Sequence, residues 1–241
     1  MKTTAIVLAA GSGSRMKSNV KKQYMEIEGK PLLLYALKAF EKSFVDEIVL
    51  VLPKDDIDSV MTEIVAPEGL KKIKAVVAGG STRYHSVRLG LLAASSDTDY
   101  VFIHDGARPF IDDDILGRAL EAVKEYGACV VGMPVKDTIK IADESGFAKT
   151  TPDRDKTWLI QTPQVFVYSE ILKLYEELAR KEDELISKGV NITDDAMVME
   201  TFGSRKVKLV IGSYDNIKIT TPEDIQLAET ILSSKIAALQ H

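Results

Sequence analysis

Strand-like and helix-like segments alternate along the first half of this chain. Strands are predicted at 3–9, 47–52, 73–78 and 99–104, and amphipathic helices at 31–42, 55–65, 82–94 and 112–126. This alternation predicts an α/β, Rossmann-like fold, in which helices cover both faces of a mostly parallel sheet. Such sheets bind ligands beyond the carboxyl ends of their strands. The loops that follow the four strands are therefore predicted to carry the binding and catalytic residues.

The pattern changes after residue 128. Short strands at 130–135, 138–142 and 147–151 predict a protruding β-arm over residues 135–157, which is too small to bury a core of its own. We expect this arm to pack on a partner subunit; a solvated basic hairpin is the alternative. Later segments predict helices at 169–188, 194–201 and 222–238 and strands at 207–211 and 216–219. No linker divides the chain, so residues 1–241 are predicted to form a single domain.

The composition of the chain restricts which partners the protein can bind and where in the cell it is expected. The net charge of −5 gives no overall attraction for nucleic acid or an anionic membrane, so neither is expected as a partner. No apolar run approaches the roughly 20 residues of a membrane span, and no signal peptide is evident, so a cytoplasmic location is expected. The single cysteine, Cys129, lies in an apolar strand pattern that predicts a small buried side chain rather than a nucleophile.

The loop after the first strand has the character of an anion site. It runs Leu8-Ala9-Ala10-Gly11-Ser12-Gly13-Ser14-Arg15-Met16, and Lys22 follows soon after. Small residues leave the backbone amides open to phosphate oxygens or a base edge, and Arg15 adds a fixed positive charge. The spacing matches neither a P-loop nor the dinucleotide-binding fingerprint. A tight turn with an exposed arginine is the structural alternative.

A second small-residue loop follows the third strand. Gly79-Gly80-Ser81-Thr82-Arg83 combines open amides, hydroxyls and a cation at the start of a helix, where an anion or carbonyl is favoured. Simple capping of the helix by Ser81 or Thr82 is the alternative.

The loop after the fourth strand carries a carboxylate and an arginine. In His104-Asp105-Gly106-Ala107-Arg108-Pro109, Asp105 can hold a ribose hydroxyl or magnesium, and Arg108 can bind a phosphate with two parallel hydrogen bonds. A structural Asp105–Arg108 pair is the alternative, and His104 is predicted to pack at the strand end.

The segment 215–224 brings a lysine toward the predicted ligand edge. Ile217 and Ile219 are predicted to face inward, so Lys218 points the other way. Two weaker signals precede it: Thr162-Pro163-Gln164 is predicted to be a turn, and Thr193-Asp194-Asp195-Ala196 a helix cap.

Taken together, these loops supply cations, amides and hydroxyls but no arrangement of Ser, His and Asp or of Cys and His. This inventory is typical of phosphoryl or nucleotidyl transfer, where positioning and charge stabilisation dominate catalysis.

The order of these motifs resembles one family. Together they are similar to the motifs of the 2-C-methyl-D-erythritol 4-phosphate cytidylyltransferases. The motifs that carry this resemblance are the loop at 8–16, Gly79-Gly80 with Arg83 and Ser86, the 104–109 loop, Pro134-Val135-Lys136-Asp137-Thr138, Thr162-Pro163-Gln164, Thr193-Asp194 and Asp215-Asn216-Ile217-Lys218. The motifs span residues 8 to 218 in order. The first of them, together with Lys22-Gln23-Tyr24, resembles the sugar-nucleotidyltransferase signature. Gly106 and Ser81 depart from the residues common in the family.

The resemblance implies a reaction and a set of site residues. CTP and methylerythritol phosphate would give the CDP-alcohol and pyrophosphate, with Mg²⁺ as cofactor, for non-mevalonate isoprenoid biosynthesis. It implies a homodimer in which the arm of one chain reaches the other chain's site. The nucleotide would contact Ala9, Ala10, Gly11, Gly80, Ser81, Ser86, Asp105 and Ala107. The catalytic cations would be Arg15, Lys22, Arg154 and Lys218. Methylerythritol phosphate would contact Asp105, Arg108, Thr138, Arg154, Thr162, Thr193 and Lys218. No metal ligand is assigned, although Asp105 is a candidate.

Three alternatives share parts of this pattern. A ribitol-5-phosphate cytidylyltransferase shares most motifs, but Ala10 and the 133–138 segment favour methylerythritol phosphate. A hexose-1-phosphate nucleotidyltransferase would need room for a further C-terminal domain. A non-catalytic nucleotide sensor would be expected to lack Arg15, Lys22 or Lys218, and all three are present.

Overall fold

A computed structural model of the protein describes residues 1–11 and 24–238. The strands are β1 Thr3–Leu8, β2 Glu26–Ile27, β3 Lys30–Pro31, β4 Glu47–Leu52, β5 Ile73–Ala78, β6 Tyr100–Asp105, β7 Ala128–Pro134, β8 Ile141–Ala142, β9 Ala148–Thr150, β10 Trp158–Val167 and β11 Lys208–Ile211. The α-helices are α1 Leu32–Lys42, α2 Ile57–Val60, α3 Arg83–Ala93, α4 Asp113–Tyr126, α5 Tyr168–Ser187, α6 Asp195–Phe202 and α7 Pro222–Ala238.

Seven strands form the central sheet, in the order β11-β7-β10-β6-β1-β4-β5. Every neighbouring pair is parallel except the two made by β10, which runs antiparallel to β6 and to β7. Leu8 lies opposite Asp105 and Val51, and Leu52 lies opposite Ala78. The carboxyl ends of β1, β4, β5 and β6 therefore meet at one edge, as the predicted fold class requires.

Alternating apolar residues bury both faces of the sheet. On β1, Ala5 and Val7 face a core completed by α1 and α4, whereas Ile6 faces a second core completed by α3, α5 and α6. All three side chains have no exposed surface. The prediction of helices on both faces is confirmed. Cys129 is fully buried in the first core, as predicted.

Two local predictions were wrong, and a third was right in type but not in regularity. Residues 158–167 form β10 in the middle of the sheet, although Thr162-Pro163-Gln164 was predicted to be a turn. The pairing of β10 with β7 is irregular between Ile160 and Gln164, and this irregularity accommodates a proline that cannot donate to the ladder. Residues 216–219 form no strand. The predicted helix at 55–65 is helical throughout, but it consists of short 3₁₀, α and π turns rather than one regular α-helix.

The predicted β-arm contains a short hairpin. Strands β8 and β9 pair only with each other, through Ile141 with Thr150 and Ala142 with Ala148. Every residue from 141 to 151 is exposed, and Phe147 has 73% of its surface accessible. In the described part of the chain, no helix is long and apolar enough to cross a membrane.

Candidate active site

Asp105, the last residue of β6, is the centre of a charged cluster. Its Oδ2 accepts a hydrogen bond from the Lys218 ammonium at 2.6 Å, and its Oδ1 lies 3.3 Å from Arg83 Nε. The side chain is mostly buried. Burial alone would raise the pKa of Asp105, but the charges of Arg83, Lys218 and Arg108 outweigh burial and hold it well below its usual range. Asp105 is therefore a carboxylate at every physiological pH.

Lys218 reaches this carboxylate because its segment docks on the loop after β6. The Ile219 amide donates to the Ala107 carbonyl at 2.9 Å, and Arg108 Nη1 donates to the Asn216 carbonyl at 2.8 Å. Ile219 is fully buried in a third core with Phe110 and α7. Ile219 thus points inward and Lys218 points the other way, as predicted, although this segment is not a strand.

Arg108 contacts main chain rather than pairing with Asp105. Besides the Asn216 carbonyl, its Nη2 lies 3.4 Å from the Ile160 carbonyl, and the side chain is largely buried. Asn216 is fully buried as well, and its Nδ2 donates to the Thr162 carbonyl at 2.9 Å. The two residues tie the Lys218 segment to β6 and β10. Asn216 was not singled out by the sequence as a site residue, since a lone asparagine in a loop carries no periodic signal.

Behind Asp105, a chain of hydrogen bonds runs through the buried His104. The Asp105 amide donates to Thr162 Oγ1 at 3.1 Å, and Thr162 Oγ1 lies 3.0 Å from His104 Nδ1. His104 Nε2 lies 3.1 Å from the Arg108 carbonyl, which can only accept, so Nε2 carries the proton and Thr162 donates to Nδ1. Burial lowers the pKa of His104 to about 4, which keeps the ring neutral. The prediction that His104 packs at the strand end is confirmed.

Arg83 connects Asp105 to a second buried carboxylate, Asp195 on α6. Its Nη1 and Nη2 donate to the two oxygens of Asp195 at 2.8 and 2.7 Å. Tyr175 of α5 donates to the same carboxylate, and the Asp195 side chain has no exposed surface. This bidentate pair holds the guanidinium at the sheet edge. The sequence signal at 194–195 was a helix cap, and it identifies Asp194, whose carboxylate caps α6, but not the role of Asp195.

The two small-residue loops lie against each other at the same edge. A Cβ atom on Gly79 would come within 2.3 Å of Ala10 Cβ and 2.9 Å of Ser86 Oγ, so this close approach requires glycine. Ser86 is buried; its hydroxyl accepts from the Gly80 amide at 3.1 Å and donates to the Thr82 carbonyl at 3.0 Å. Ser86 therefore shapes the Gly79–Thr82 loop. Thr82 accepts from the His85 amide and caps α3, as the alternative interpretation of this loop predicted.

Ala9 and Ala107 line the same edge from beneath. Both are buried, and the Ala9 amide donates to the Val51 carbonyl at 2.8 Å. Gly11 is exposed at the end of the described part of the first loop. Arg15 and Lys22 lie outside the described residues.

The remaining predicted site residues are exposed, and in the described part of the chain none of them hydrogen-bonds to the Asp105 cluster. Thr138 and Arg154 are exposed on the arm, and Arg154 begins a short 3₁₀ turn. Thr193 is exposed just before α6. Of the predicted acceptor-binding residues, the structure brings together Asp105, Arg108, Thr162 and Lys218.

The donor set fits magnesium only as an ion carried by a bound phosphate. Within residues 1–11 and 24–238, no three His, Cys, Asp or Glu side chains gather as metal ligands. Asp105 ends β6 beside β1, and both its oxygens already have cationic partners. Magnesium binds through one or two carboxylates together with substrate phosphates, so Asp105 can complete its ligand set but cannot build one.

Cys129 and His104 cannot serve as a covalent nucleophile or a neutral-pH base. Burial raises the pKa of the Cys129 thiol to about 12, so the reactive thiolate does not form. His104 has both ring nitrogens hydrogen-bonded inside the protein. The arrangement is suited to binding and neutralising negative charge.

Comparison with known proteins points to one group. A sequence model of the family described as 2-C-methyl-D-erythritol 4-phosphate cytidylyltransferase matches residues 3–234. Proteins with that name from Lachnoclostridium phytofermentans and Clostridium acetobutylicum are 49% and 46% identical to this chain. The first match covers 96% of each chain; the second covers 95% of this chain and 96% of the relative.

Solved structures agree with the sequence matches. The 4-diphosphocytidyl-2C-methyl-D-erythritol synthase of Anaerococcus prevotii superimposes with a TM-score of 0.83, at 35% identity and over 96% of each chain. The 2-C-methyl-D-erythritol 4-phosphate cytidylyltransferase of Thermus thermophilus gives a TM-score of 0.75 at 30% identity, over 97% of this chain and all of that one.

Proposed function

Because the chain belongs to the 2-C-methyl-D-erythritol 4-phosphate cytidylyltransferase family, we propose a division of its residues between the two substrates of that reaction. The protein is a nucleotidyltransferase of isoprenoid biosynthesis that transfers CMP from CTP to 2-C-methyl-D-erythritol 4-phosphate. The products are 4-diphosphocytidyl-2-C-methyl-D-erythritol and pyrophosphate.

The nucleotide is assigned to the loops after β1 and β5. Ala10 and Gly11 supply open backbone beside Gly79 and Gly80, where a flat base can approach closely. Ser86 holds this loop in shape, and Asp105 lies at the neighbouring strand end, within reach of a ribose. Ala9, Ser81 and Ala107 complete the proposed nucleotide contacts.

The acceptor phosphate is assigned to the cationic side of Asp105. Lys218 is held at 2.6 Å from that carboxylate and keeps one-third of its side-chain surface exposed, so it can contact a second anion while staying in place. Arg108 and Thr162 fix the surrounding backbone. This preorganised cation on a buried carboxylate is the observation that carries the assignment.

The chemistry requires no protein base. An oxygen of the acceptor phosphate, largely dianionic at pH 7, attacks the α-phosphorus of CTP, and the bond from that phosphorus to the bridging oxygen of pyrophosphate breaks. Negative charge builds on the nonbridging oxygens and on the leaving group. Arg15 and Lys22 are proposed to stabilise that charge, as fixed cations do in phosphoryl transfer. Magnesium bound to the CTP phosphates would neutralise further charge, with Asp105 as a candidate ligand.

The arm is proposed to complete the site of a second subunit. Its hairpin is exposed over residues 141–151 and carries Phe147 at its tip, which a solvated hairpin would not need. Thr138 and Arg154 would then contact the acceptor bound to the partner chain in a homodimer. A cytoplasmic location accompanies this proposal.

Substrate preference tests the proposal directly. We expect the kcat/KM measured by pyrophosphate release with CTP and Mg²⁺ to be higher for methylerythritol phosphate than for ribitol 5-phosphate. The reverse order would assign the protein to a different acceptor while leaving cytidylyl transfer intact.

A further inference from the structure

Four side chains at the nucleotide loop form a hydrogen-bonded group, and only Ser81 among them has a part in the proposed reaction. They are Ser81 in the loop, Tyr84 and His85 on α3, and Glu182 on α5. Tyr84 donates to Glu182 Oε1 at 2.6 Å, and His85 Nε2 lies 2.9 Å from Glu182 Oε2. Ser81 Oγ lies 2.9 Å from His85 Nδ1. We call these four residues the Glu182 relay.

Glu182 determines where the imidazole proton lies. Hydrogen bonds from Tyr84 and His85 lower the pKa of Glu182 below its ordinary value, so it is a carboxylate at neutral pH and can only accept. His85 Nε2 must therefore carry a proton. In the neutral ring, Nδ1 is then an acceptor, and the Ser81 hydroxyl donates to it.

Thr82 lies close to the same nitrogen. Its Oγ1 is 3.0 Å from His85 Nδ1, and it also accepts the His85 amide as the cap of α3. Because Nδ1 carries no proton in this tautomer, both hydroxyls face an acceptor there. Ser81, at 2.9 Å, is the nearer of the two.

With its proton directed inward, the Ser81 hydroxyl presents only lone pairs outward. Ser81 is exposed and follows Gly80 in the loop that lies against Ala10. Lone pairs can accept from the exocyclic amino group of cytosine, but they repel the carbonyl that uracil carries at the same position. We propose that Glu182, acting through His85, is a positioning residue that fixes Ser81 as a hydrogen-bond acceptor for the cytosine amino group. This inference rests on the proposed function, because it takes the Gly79–Thr82 loop as the base site.

The test compares CTP with UTP in variants of the relay. In Glu182→Leu the new side chain meets Leu178, Leu185 and Ile186, which line a neighbouring apolar cavity of about 280 Å³, so the helix keeps its packing. The imidazole can then carry its proton on Nδ1 and donate to Ser81. We expect kcat/KM for CTP to fall about 5- to 20-fold, through KM, with a smaller change for UTP.

Ser81→Ala removes the acceptor and should reduce the preference for CTP to a similar degree. The double variant should be no worse than Ser81→Ala alone, because Glu182 acts through Ser81. The dissociation constant of CTP from calorimetry should rise by the same factor as KM, which gives a readout independent of turnover.

Glu176→Leu is the matched control. Glu176 also lies on α5 and bridges to α3, but its partner is Arg88, at 3.0 Å, rather than His85. This variant should keep the wild-type preference for CTP over UTP. An unchanged preference in Glu182→Leu, an equal loss in Glu176→Leu, or additive effects of Glu182→Leu and Ser81→Ala would overturn the proposal.

Two further measurements separate the possible failures. If Glu182→Leu lacks the wild-type circular dichroism spectrum, the test rests on Ser81→Ala, because the Ser81 side chain is exposed and its loss should leave the fold intact. A retained preference for CTP in Ser81→Ala would overturn the acceptor role of Ser81. A wild-type protein that releases no pyrophosphate with methylerythritol phosphate would contradict the proposed function instead. An active wild type with an unchanged base preference in the variants contradicts only the relay.

Discussion

The neutral, buried His104 predicts a specific loss of stability in acid. In the folded protein, burial holds the pKa of His104 at about 4, against 6.5 for an ordinary histidine. As the pH falls below 6.5, the unfolded chain binds a proton at this residue that the folded protein does not bind. Stability therefore falls between about pH 6.5 and pH 4, and is fully present only above that window. At about 1.4 kcal/mol per pH unit, the full loss is about 3 kcal/mol.

The variant His104→Asn isolates this contribution. Asparagine can accept from Thr162, as His104 Nδ1 does, but it has no titrating group in this range. The wild type should be the more stable protein at pH 7.5, because the variant loses the bond to the Arg108 carbonyl and leaves a small void. Its advantage should shrink by about 2 kcal/mol when both proteins are compared at pH 5.0.

Urea unfolding followed by the fluorescence of the single tryptophan, Trp158, provides the measurement. Carboxylates such as Asp105 and Glu47, whose pKa values are lowered in the folded state, also lose stability in acid. Their contribution is common to both proteins and cancels in the difference. A difference between wild type and variant that stays constant from pH 7.5 to 5.0 would refute the description of His104 as neutral and buried.

Three further predictions concern the site. Arg15→Ala and Lys22→Ala should each lower kcat about 10²- to 10³-fold, as loss of one transition-state donor does; a higher KM for CTP at unchanged kcat would limit them to ground-state binding. Mixing inactive Arg154→Ala and Lys22→Ala chains should restore part of the activity after subunit exchange, because one site of the heterodimer carries neither change. No recovery despite demonstrated exchange would place both residues in the same chain's site. Gly79→Ala should raise KM for CTP more than KM for the acceptor, since its Cβ would lie 2.3 Å from Ala10 Cβ; equal changes in both would contradict the assignment of this loop to the nucleotide.

The parallel half of the fold was predictable because each strand there carries a strong local pattern. Residues 47–52 and 73–78 were predicted with the bounds that the structure has. The strand β10 escaped prediction because Pro163 and three polar residues interrupt it. Those polar residues, Gln161, Thr162 and Gln164, are buried by contacts that exist only after folding, to Asn216, His104 and α6. A sequence pattern cannot reveal partners 32 to 58 positions away.

In the candidate site, too, some residues were predictable from local sequence and others were not. Asp105 and Lys218 were expected at the sheet edge from their place after a strand and between two buried isoleucines, and the structure brings them together. The role of Asp195 was not predictable, because its partner Arg83 lies 112 positions earlier in the chain. For Arg108 the sequence predicted a phosphate ligand that the structure does not require. A guanidinium can bind phosphate, but the Nη atoms of Arg108 donate to main-chain carbonyls instead.

Direct transfer of CMP to a phosphate acceptor makes pyrophosphate and the CDP-alcohol form together. Pyrophosphate and the CDP-alcohol are quantified together after CTP and Mg²⁺ are incubated with and without methylerythritol phosphate. Direct transfer requires one pyrophosphate for each CDP-alcohol formed, and none without the acceptor. Release of pyrophosphate without acceptor, or CTP binding with no product when the acceptor is present, would contradict it.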